Sequence, residues 1–386
     1  MSLGIIFGII CVLLLLPDAY IVFGVMKNIS WLWRGLFLLP TLLYLIVAGR
    51  LFLSDDTRQL NFNLLFWLTL CVVFPVLLFV IVSLIGKAAG LFYNPSSLIF
   101  NRIGVIISAI WFCVALYGII WGWRNVTVEK LEISSPKINK SFDGYKIVQI
   151  SDMHIGTYDL SPSTVDKIVD KINCLNPDLI VFTGDLVNME PEEIDPFEDT
   201  LKRLKAKDGV VSILGNHDYC LYKSYKGTDD NPAEALQRLI SKEKEMGWKL
   251  LLNESVEIER GGETISILGV ENSGGKNFID RSDLQKALKG VPEDSYKILL
   301  SHDPSHWRRE VLPKSDIDLT LSGHTHAMQF KIGNFSPSKW AYKEWEGLYE
   351  EGDRMLHVNT GTGENIAFRF GAYPQITLIT LKSKDK

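Results

Sequence analysis

The stretch Asp178-Leu-Ile-Val-Phe-Thr-Gly-Asp185 decides the fold that we predict for this chain. Its four consecutive apolar residues are typical of a strand buried on both faces of a sheet, and the run ends at a glycine and a carboxylate. The same pattern occurs at Val210-Val-Ser-Ile-Leu214, which ends at Gly215-Asn216, and at Tyr145 to Ile150, which ends at Asp152. We therefore predict strands whose carboxyl ends carry polar side chains.

Segments with helical periodicity separate these strands. Ser161 to Asn173 has apolar residues at helical spacing and a serine at its start, and residues 197–204 and 232–246 are helical in pattern. Further strand-like runs cover residues 248–258, 264–270, 296–300 and 317–321. Strands that alternate with helices predict an α/β fold, in which ligands bind at the carboxyl ends of the strands.

Five short clusters of polar residues lie at these strand ends. They are Asp152-Met-His154, Gly184-Asp185, Gly215-Asn216-His217-Asp218, Ser301-His302 and Gly323-His324-Thr-His326. Carboxylate, amide and imidazole ligands without thiolates suit Mn²⁺, Fe²⁺ or Zn²⁺. A carboxylate can bridge two such ions about 3.5–4 Å apart, and the two ions can share a hydroxide that attacks phosphorus in line. The clusters therefore predict a dinuclear hydrolytic centre.

With these five clusters the sequence resembles the calcineurin-like metallophosphoesterase superfamily, over roughly residues 145 to 382. The resemblance implies a four-layer αββα sandwich, in which two facing mixed sheets are flanked by helices. It also implies two divalent metal ions, with Mn²⁺ preferred and Fe²⁺ or Zn²⁺ as alternatives. The implied ligands of one ion are Asp152, His154 and His326, those of the other are Asn216, His302 and His324, and Asp185 bridges the two ions.

The resemblance also implies a catalytic group. His217 matches the histidine that contacts the phosphate and assists departure of the leaving group, and we expect Asp218 to orient it. The other two of the seven histidines, His306 and His357, lie outside the clusters. We expect His306 to lie at the surface or cap a helix, and His357 to be structural.

Within the superfamily the chain looks most like membrane-anchored bacterial phosphoesterases, which include UDP-2,3-diacylglucosamine hydrolases. The tail Asn359-Thr-Gly-Thr-Gly-Glu364, followed by Arg369-Phe-Gly and Pro374-Gln-Ile-Thr, carries this resemblance. One motif departs from the pattern, because Ala327 and Met328 stand after Gly323-His324-Thr-His326 where members often have two glycines. We expect the loop beyond the ligands to be shaped differently.

The first 123 residues have the composition of a membrane region. We predict four transmembrane helices, at about residues 3–26, 31–53, 64–86 and 103–122, because each is apolar over nearly the length that spans a bilayer. A signal peptide is the alternative for the first segment, but the positively charged start and the cleavage site are missing. Residues 124–144 would form a connecting strand, and residues 145–386 the metallophosphoesterase domain.

Charge sets limits on partners and topology. A net charge of −5 argues against binding to nucleic acid. Basic residues flanking the predicted spans are balanced between the two faces, so the side of the catalytic domain stays open. Asp18, an acidic residue inside a predicted span, would mark an ion pathway if this region were a transporter, or else lie near an interface or a break at Pro17.

These observations predict a membrane-bound phosphodiesterase or pyrophosphatase that acts on a lipid-linked or membrane-proximal phosphate ester. We expect a multi-pass protein of the cell membrane, the inner membrane of a bacterium. The alternatives are a non-catalytic phosphoesterase-like scaffold and a membrane sensor. An aromatic segment at residues 333–352 would contact substrate or membrane, or pack on its own domain.

Overall fold

The computed structural model describes residues 3–53, 59–92, 96–275 and 278–384. The contacts divide the chain into two compact units. The first consists of Met1–Trp121 together with the short segment Ile366–Phe368, and the second of Gly122–Asn365 and Arg369–Lys386.

The first unit is built from apolar helices. Their bounds are α1 (Leu3–Ala19), α2 (Trp31–Leu53), α3 (Gln59–Leu68), α4 (Phe74–Gly90) and α5 (Ser96–Ile120). Within the described residues, three helical stretches are long and apolar enough to cross a membrane, namely Trp31–Leu51, Leu60–Gly90 and Ser97–Arg124, and Cys11–Val25 is a shorter apolar helix. The prediction of apolar N-terminal helices is confirmed, and the count of four spans stays a prediction.

Two of these apolar stretches contain a π-helical turn close to a proline. Tyr20–Val25 is π-helical and follows Pro17, and Thr69–Val73 is π-helical and precedes Pro75. Proline lacks the N–H that an α-helix needs, and π-turns accommodate such a disturbance of the hydrogen-bond ladder. The buried Asp18 lies near the end of α1, directly after Pro17 and before the first of these turns.

A three-residue segment from the C-terminal part of the sequence belongs to the first unit because it bonds to α3. The buried Asn63 side chain accepts the Ala367 N–H at 2.8 Å, and Trp67 Nε1 donates to the Ala367 carbonyl at 2.9 Å. Phe66 and Phe368 pack with ring centroids 6.0 Å apart. The backbone groups of this segment are thereby satisfied by side chains of α3.

The second unit contains two six-stranded sheets among the described residues. The first sheet has the order β1-β12-β2-β3-β4-β5 and the second β10-β11-β9-β8-β7-β6. The strands are β1 (Thr127–Ser135), β2 (Lys146–Ile150), β3 (Leu179–Phe182), β4 (Val210–Ser212), β5 (Lys249–Leu250), β6 (Glu254–Arg260), β7 (Glu263–Gly269), β8 (Tyr296–Leu300), β9 (Leu319–Ser322), β10 (Gly347–Glu351), β11 (Arg354–Val358) and β12 (Gln375–Ser383). Parallel and antiparallel pairs occur in both sheets, which confirms the prediction of mixed sheets in an α/β fold.

Helices connect the strands of this unit. They are α6 (Ser163–Cys174), α7 (Glu198–Leu201), α8 (Pro232–Glu245), α9 (Leu284–Ala287) and α10 (Leu312–Lys314). One apolar core contains side chains from both sheets, among them Ile147 and Leu179 of the first sheet and Ile298 and Leu319 of the second. Residues 124–144, which we expected to form a connecting strand, contain β1, and β1 pairs in parallel with β12 over nine residues.

A buried carboxyl on α8 makes stability depend on pH. Glu243 is fully buried, its side chain accepts a hydrogen bond from Ser212 at the end of β4, and burial raises its pKa to about 8. The folded state therefore holds a proton that the unfolded chain releases near pH 4.5, so stability is greatest below that pH and falls as the pH rises toward 8.

Glu243→Gln is expected to remove this part of the pH dependence, because an amide has no proton to lose. Between pH 5.5 and 8 the thermal midpoint of the unsubstituted protein in detergent should fall further than that of the variant. The free energy of unfolding should fall with pH more steeply for the unsubstituted protein than for the variant. The difference between the two slopes should approach about 1.4 kcal/mol per pH unit. Equal pH slopes for the two proteins would refute this account of Glu243.

Candidate metal centre

Side chains from five loops meet where strands β2, β3, β4, β8 and β9 end. The first set of potential metal ligands consists of Asp152, His154 and His326. His154 Nε2 lies 3.1 Å from His326 Nε2, and His326 Nε2 lies 3.3 Å from Asp152 Oδ1. Metal–ligand bonds of about 2.1 Å place neighbouring ligand atoms about 3.0–3.5 Å apart, so these spacings fit one bound ion.

The second set contains Asp185, His302 and His324. His302 Nε2 lies 3.1 Å from both His324 Nδ1 and Asp185 Oδ2. The same Asp185 oxygen lies 3.6 Å from His154 Nε2 of the first set. The carboxylate of Asp185 is therefore shared by the two sets, as a bridging ligand would be.

Asn216 is the further ligand that we predicted for the second ion. Its side-chain oxygen is buried and has no hydrogen-bond partner among the described residues, whereas its Nδ2 donates to the Tyr222 hydroxyl at 2.9 Å. An unpartnered buried oxygen is costly unless something outside the described residues satisfies it. With carboxylate, amide and imidazole donors and without a thiolate, the donor set fits two borderline-to-hard divalent cations.

Most of these residues have strained backbone. Residues other than glycine rarely have a positive φ, yet five of the seven potential ligands do. Their φ angles are 48° at Asp152, 44° at His154, 59° at Asp185, 74° at His324 and 49° at His326. Such conformations cost about 1–3 kcal/mol each and cluster at functional sites. The fold therefore stores strain at the potential metal ligands.

Two of the glycines in the clusters are explained by close approach. A Cβ at Gly215 would lie 2.2 Å from Asp185 Oδ1, and a Cβ at Gly323 would lie 2.1 Å from Asp152 Oδ2. A side chain at either position would displace a carboxylate that faces the ligand sets. Positions 215 and 323 therefore require glycine, because any larger residue would collide with these carboxylates.

The charge balance of the site favours cations. Burial opposes a charge on His302, but the carboxylates of Asp185 and Asp152 outweigh burial and raise the pKa of His302 to about 10. Burial lowers the pKa of His154 and of His326, so both are neutral, which is the form that binds metals. The proton on His302 compensates the carboxylates, and a divalent cation would replace it.

His217 stands beside the ligand sets. Its Nδ1 lies 2.7 Å from the backbone carbonyl of Asn188, to which it must donate, so in the neutral ring Nε2 carries the lone pair. Its ring meets that of His154 edge-on with 4.8 Å between centroids, and Asn365 Nδ2 lies 3.3 Å from its Nε2. A ring held at Nδ1 presents Nε2 for proton transfer.

Asp218 differs from its predicted role. We expected it to orient His217, but the Asn188 carbonyl makes that contact. The buried Asp218 carboxylate instead accepts backbone N–H groups of Asp185, Leu186 and Gly215, each at 2.8 Å. Asp218 therefore fixes the loop that carries Asp185, because several N–H groups of this loop converge on its carboxylate.

Sequence reasoning did not predict which aromatic side chains contact the potential ligands. Tyr342 places its hydroxyl 2.8 Å from His324 Nε2, and Tyr222 packs on His217 with 4.3 Å between ring centroids. The aromatic side chains of segment 333–352 have different environments. Tyr342 contacts His324, Trp345 is buried and Trp340 is exposed. His306, expected at the surface or at a helix cap, is fully buried with Nδ1 2.9 Å from Ser301 Oγ.

Comparison with known protein sequences identifies the family of this chain. The sequence model of the calcineurin-like phosphoesterases matches residues 145–328. An uncharacterized metallophosphoesterase of Bacillus subtilis, YkuE, is 31% identical over 264 residues, which cover 66% of this chain and 84% of that protein. The region of similarity therefore covers most of the B. subtilis protein.

Two further relatives carry more descriptive names. A "Transmembrane protein with metallophosphoesterase domain" of Danio rerio is 30% identical over 291 residues, covering 72% of this chain and 62% of that protein. The UDP-2,3-diacylglucosamine pyrophosphatase LpxG of Chlamydia trachomatis is 28% identical over 312 residues, covering 67% of this chain and 92% of that protein. The chain thus spans less than two thirds of the Danio rerio relative.

Proposed function

Because the chain belongs to the calcineurin-like phosphoesterase family, we propose that it is a membrane-bound phosphohydrolase that uses two divalent metal ions. The observation that carries the proposal is the pair of ligand sets that share the Asp185 carboxylate. Asp152, His154 and His326 would hold one ion, and Asn216, His302 and His324 the other. We propose Mn²⁺ as the preferred metal, with Fe²⁺ or Zn²⁺ as alternatives.

When bound, two divalent ions would activate water as the nucleophile and would neutralise charge on the phosphoryl oxygens. The protein side chains supply position and proton transfer. With both ring nitrogens protonated, His217 would donate its Nε2 proton to the departing oxygen, since its Nδ1 proton is engaged by the Asn188 carbonyl. Asp218 would keep the Asp185 loop rigid through its backbone hydrogen bonds.

We propose that residues 1–123 anchor the protein through four transmembrane helices in the cell membrane, and that residues 145–386 form the catalytic domain, built as a four-layer αββα sandwich. A substrate in or near the bilayer, such as a lipid-linked phosphodiester or pyrophosphate, suits an anchored enzyme. The name of the LpxG relative, a pyrophosphatase of a diacylated sugar nucleotide, supports such a substrate. Intact ligand sets argue against a purely scaffolding role.

The test is hydrolysis of bis(p-nitrophenyl) phosphate by the purified full chain in detergent with Mn²⁺. Chelation of metal should abolish turnover and Mn²⁺ should restore it. His217→Ala is expected to lower kcat by about a hundredfold or more, because general acid–base groups contribute that much.

A buried histidine outside the ligand sets provides the control. His357 bonds to Gln149 and Glu129 rather than to the ligand sets, so His357→Gln should change stability but not kcat. A His217→Ala protein that is folded and as active as the unsubstituted enzyme would overturn the proposed role of His217. Turnover that is insensitive to chelation would overturn the metal-dependent function.

A further inference from the structure

A cavity of about 450 Å³ lies beside the second ligand set. Tyr342 lines it, and the hydroxyl of this tyrosine lies 2.8 Å from His324 Nε2. Phe278 also lines the cavity, with its ring edge-on to that of His324 and 4.9 Å between centroids. A third lining residue, Asp303, follows the ligand residue His302 in the chain. The cavity therefore begins at the edge of the ligand sets.

The size of this cavity exceeds what the reacting group needs. Ligand pockets in proteins have about 300–1,000 Å³, and a single phosphoryl group fills only a small part of such a space. A cavity of about 450 Å³ that adjoins His324 can hold a substituent attached to the reacting phosphoryl group. The polar groups of its wall indicate which kind of substituent this is.

Among the residues that the structure describes, three basic side chains line the cavity, and one of them is neutralised. Arg308 is paired with two carboxylates, since its Nε lies 2.5 Å from Glu344 and its Nη1 lies 2.8 Å from Glu351. It therefore contributes little attraction for an anionic ligand. The lining also contains the Asp303 carboxylate, which accepts the backbone N–H of Ser305 at 2.8 Å.

The other two basic side chains are less fully neutralised. The Arg309 guanidinium donates to the Ser273 carbonyl at 2.9 Å, to Ser273 Oγ and to Ser305 Oγ at 3.0 Å, and its ion pair with Asp280 is long, at 3.7 Å. Lys343 is exposed and forms no ion pair with any residue that the structure describes. The wall thus offers one fixed and one movable cation, which suits a phosphoryl oxygen.

We propose that this cavity is a substrate subsite in which Lys343 and Arg309 bind a second phosphoryl group, distinct from the one that reacts. The inference rests on the proposed phosphohydrolase function. If the second phosphoryl group is adjacent to the first, water adds across a P–O–P linkage. One P–O bond forms, the bond to the bridging oxygen breaks, and each of the two phosphate monoesters keeps one proton of the water. If the second group lies elsewhere on the alcohol, the same cations bind it and the linkage cleaved is a phosphodiester.

Three matched substrates distinguish these sources. Thymidine 5′-(p-nitrophenyl phosphate) has one phosphoryl group, its diphosphate homologue has two adjacent groups, and its 3′-phosphorylated form has a remote second group. Lys343→Gln is expected to raise KM about fivefold for a substrate with the second group and to leave kcat unchanged, because one partly exposed ion pair contributes about 1 kcal/mol. The KM of the substrate with one phosphoryl group should stay the same.

Lys339→Gln is the matched control. Lys339 is an exposed lysine of the same segment that does not line the cavity, and its Nζ lies over the Trp345 ring instead. The KM values of the Lys339→Gln variant should stay within twofold of those of the unsubstituted enzyme for all three substrates. Lys343→Gln kinetics that are unchanged for all three, or a KM that rises equally for all three, would overturn the inference.

A binding measurement separates this inference from the proposed function. Methylenediphosphonate, which cannot be hydrolysed, and inorganic phosphate are titrated calorimetrically into the full chain in detergent. Lys343→Gln should weaken the diphosphonate about fivefold and leave phosphate binding unchanged, and added salt should reduce the difference. If no substrate is hydrolysed but this selective loss is seen, the subsite stands and the hydrolase function fails. Equal binding by both proteins would overturn the subsite.

Discussion

Replacing Asp185 with asparagine is expected to lower kcat/KM for a phosphodiester by at least about a thousandfold. Asp185 Oδ2 lies 3.1 Å from His302 Nε2 and 3.6 Å from His154 Nε2, so this carboxylate oxygen lies between both ligand sets. Asparagine keeps the shape of the side chain but removes its negative charge and one of the two carboxylate oxygens. The variant should therefore bind its second metal ion weakly and lose most of its turnover.

The measurement is steady-state hydrolysis of bis(p-nitrophenyl) phosphate at saturating Mn²⁺, together with the circular dichroism spectrum to verify folding. Asp170→Asn is the matched control, because the Asp170 side chain is 62% exposed and pairs with Arg203 at the surface. The control should retain full activity. A folded Asp185→Asn protein with activity within tenfold of the unsubstituted enzyme would show that Asp185 is not a bridging ligand.

Arg369→Met is expected to lower the free energy of unfolding by about 3–5 kcal/mol, because it leaves a buried carboxylate without its partner. Arg369 is fully buried, and its Nε donates to Glu364, also buried, at 2.7 Å. Its Nη2 bonds to the Thr360 carbonyl at 2.8 Å and lies 3.2 Å from His326 Nδ1. The same guanidinium thus holds the Thr360–Gly363 turn and approaches a potential metal ligand.

Chemical denaturation of the full chain in detergent, followed by circular dichroism, measures this loss. The double variant Glu364→Gln with Arg369→Met removes both charges and should recover part of the stability, which a double-mutant cycle would quantify. Arg203→Met is the control, since Arg203 pairs with Asp166 and Asp170 at the surface and should cost less than about 1 kcal/mol. Equal losses for Arg369→Met and Arg203→Met would contradict the structural role of the buried pair.

The sequence predicted the strand-end clusters because their signals are local. A run such as Leu179–Phe182 and the glycine and carboxylate that follow it lie within seven residues, so hydrophobic pattern and motif can be read together. Helix ends were less accurate. Of residues 197–204, predicted as a helix, Glu198–Leu201 form the short α7, and Phe197 belongs to the 3-10 turn that precedes it.

The partners of the ligands could not be predicted, because they are distant in sequence or are backbone groups. Tyr342 meets His324 across 18 residues and Arg369 meets His326 across 43 residues, and neither spacing has a motif. The Asn188 carbonyl that orients His217 has no side-chain signature at all. Sequence reasoning therefore assigned this role to the nearest carboxylate, that of Asp218.

The loop after His326 shows how tertiary structure overrides a local preference. We expected Ala327 and Met328, which replace two glycines common in the family, to give this loop another shape. Both residues nevertheless have left-handed backbone, with φ of 49° and 44°. Ala327 is fully buried against Trp345 and Ala372, and this packing offsets the strain of a conformation that favours glycine.

The number of divalent metal ions bound per chain tests the central claim most directly. The full chain is purified in detergent without chelators, equilibrated with Mn²⁺, separated from free metal and analysed by elemental mass spectrometry. Two ligand sets that share Asp185 predict two ions per chain in the unsubstituted protein. One ion or fewer per chain in folded protein would contradict a dinuclear centre.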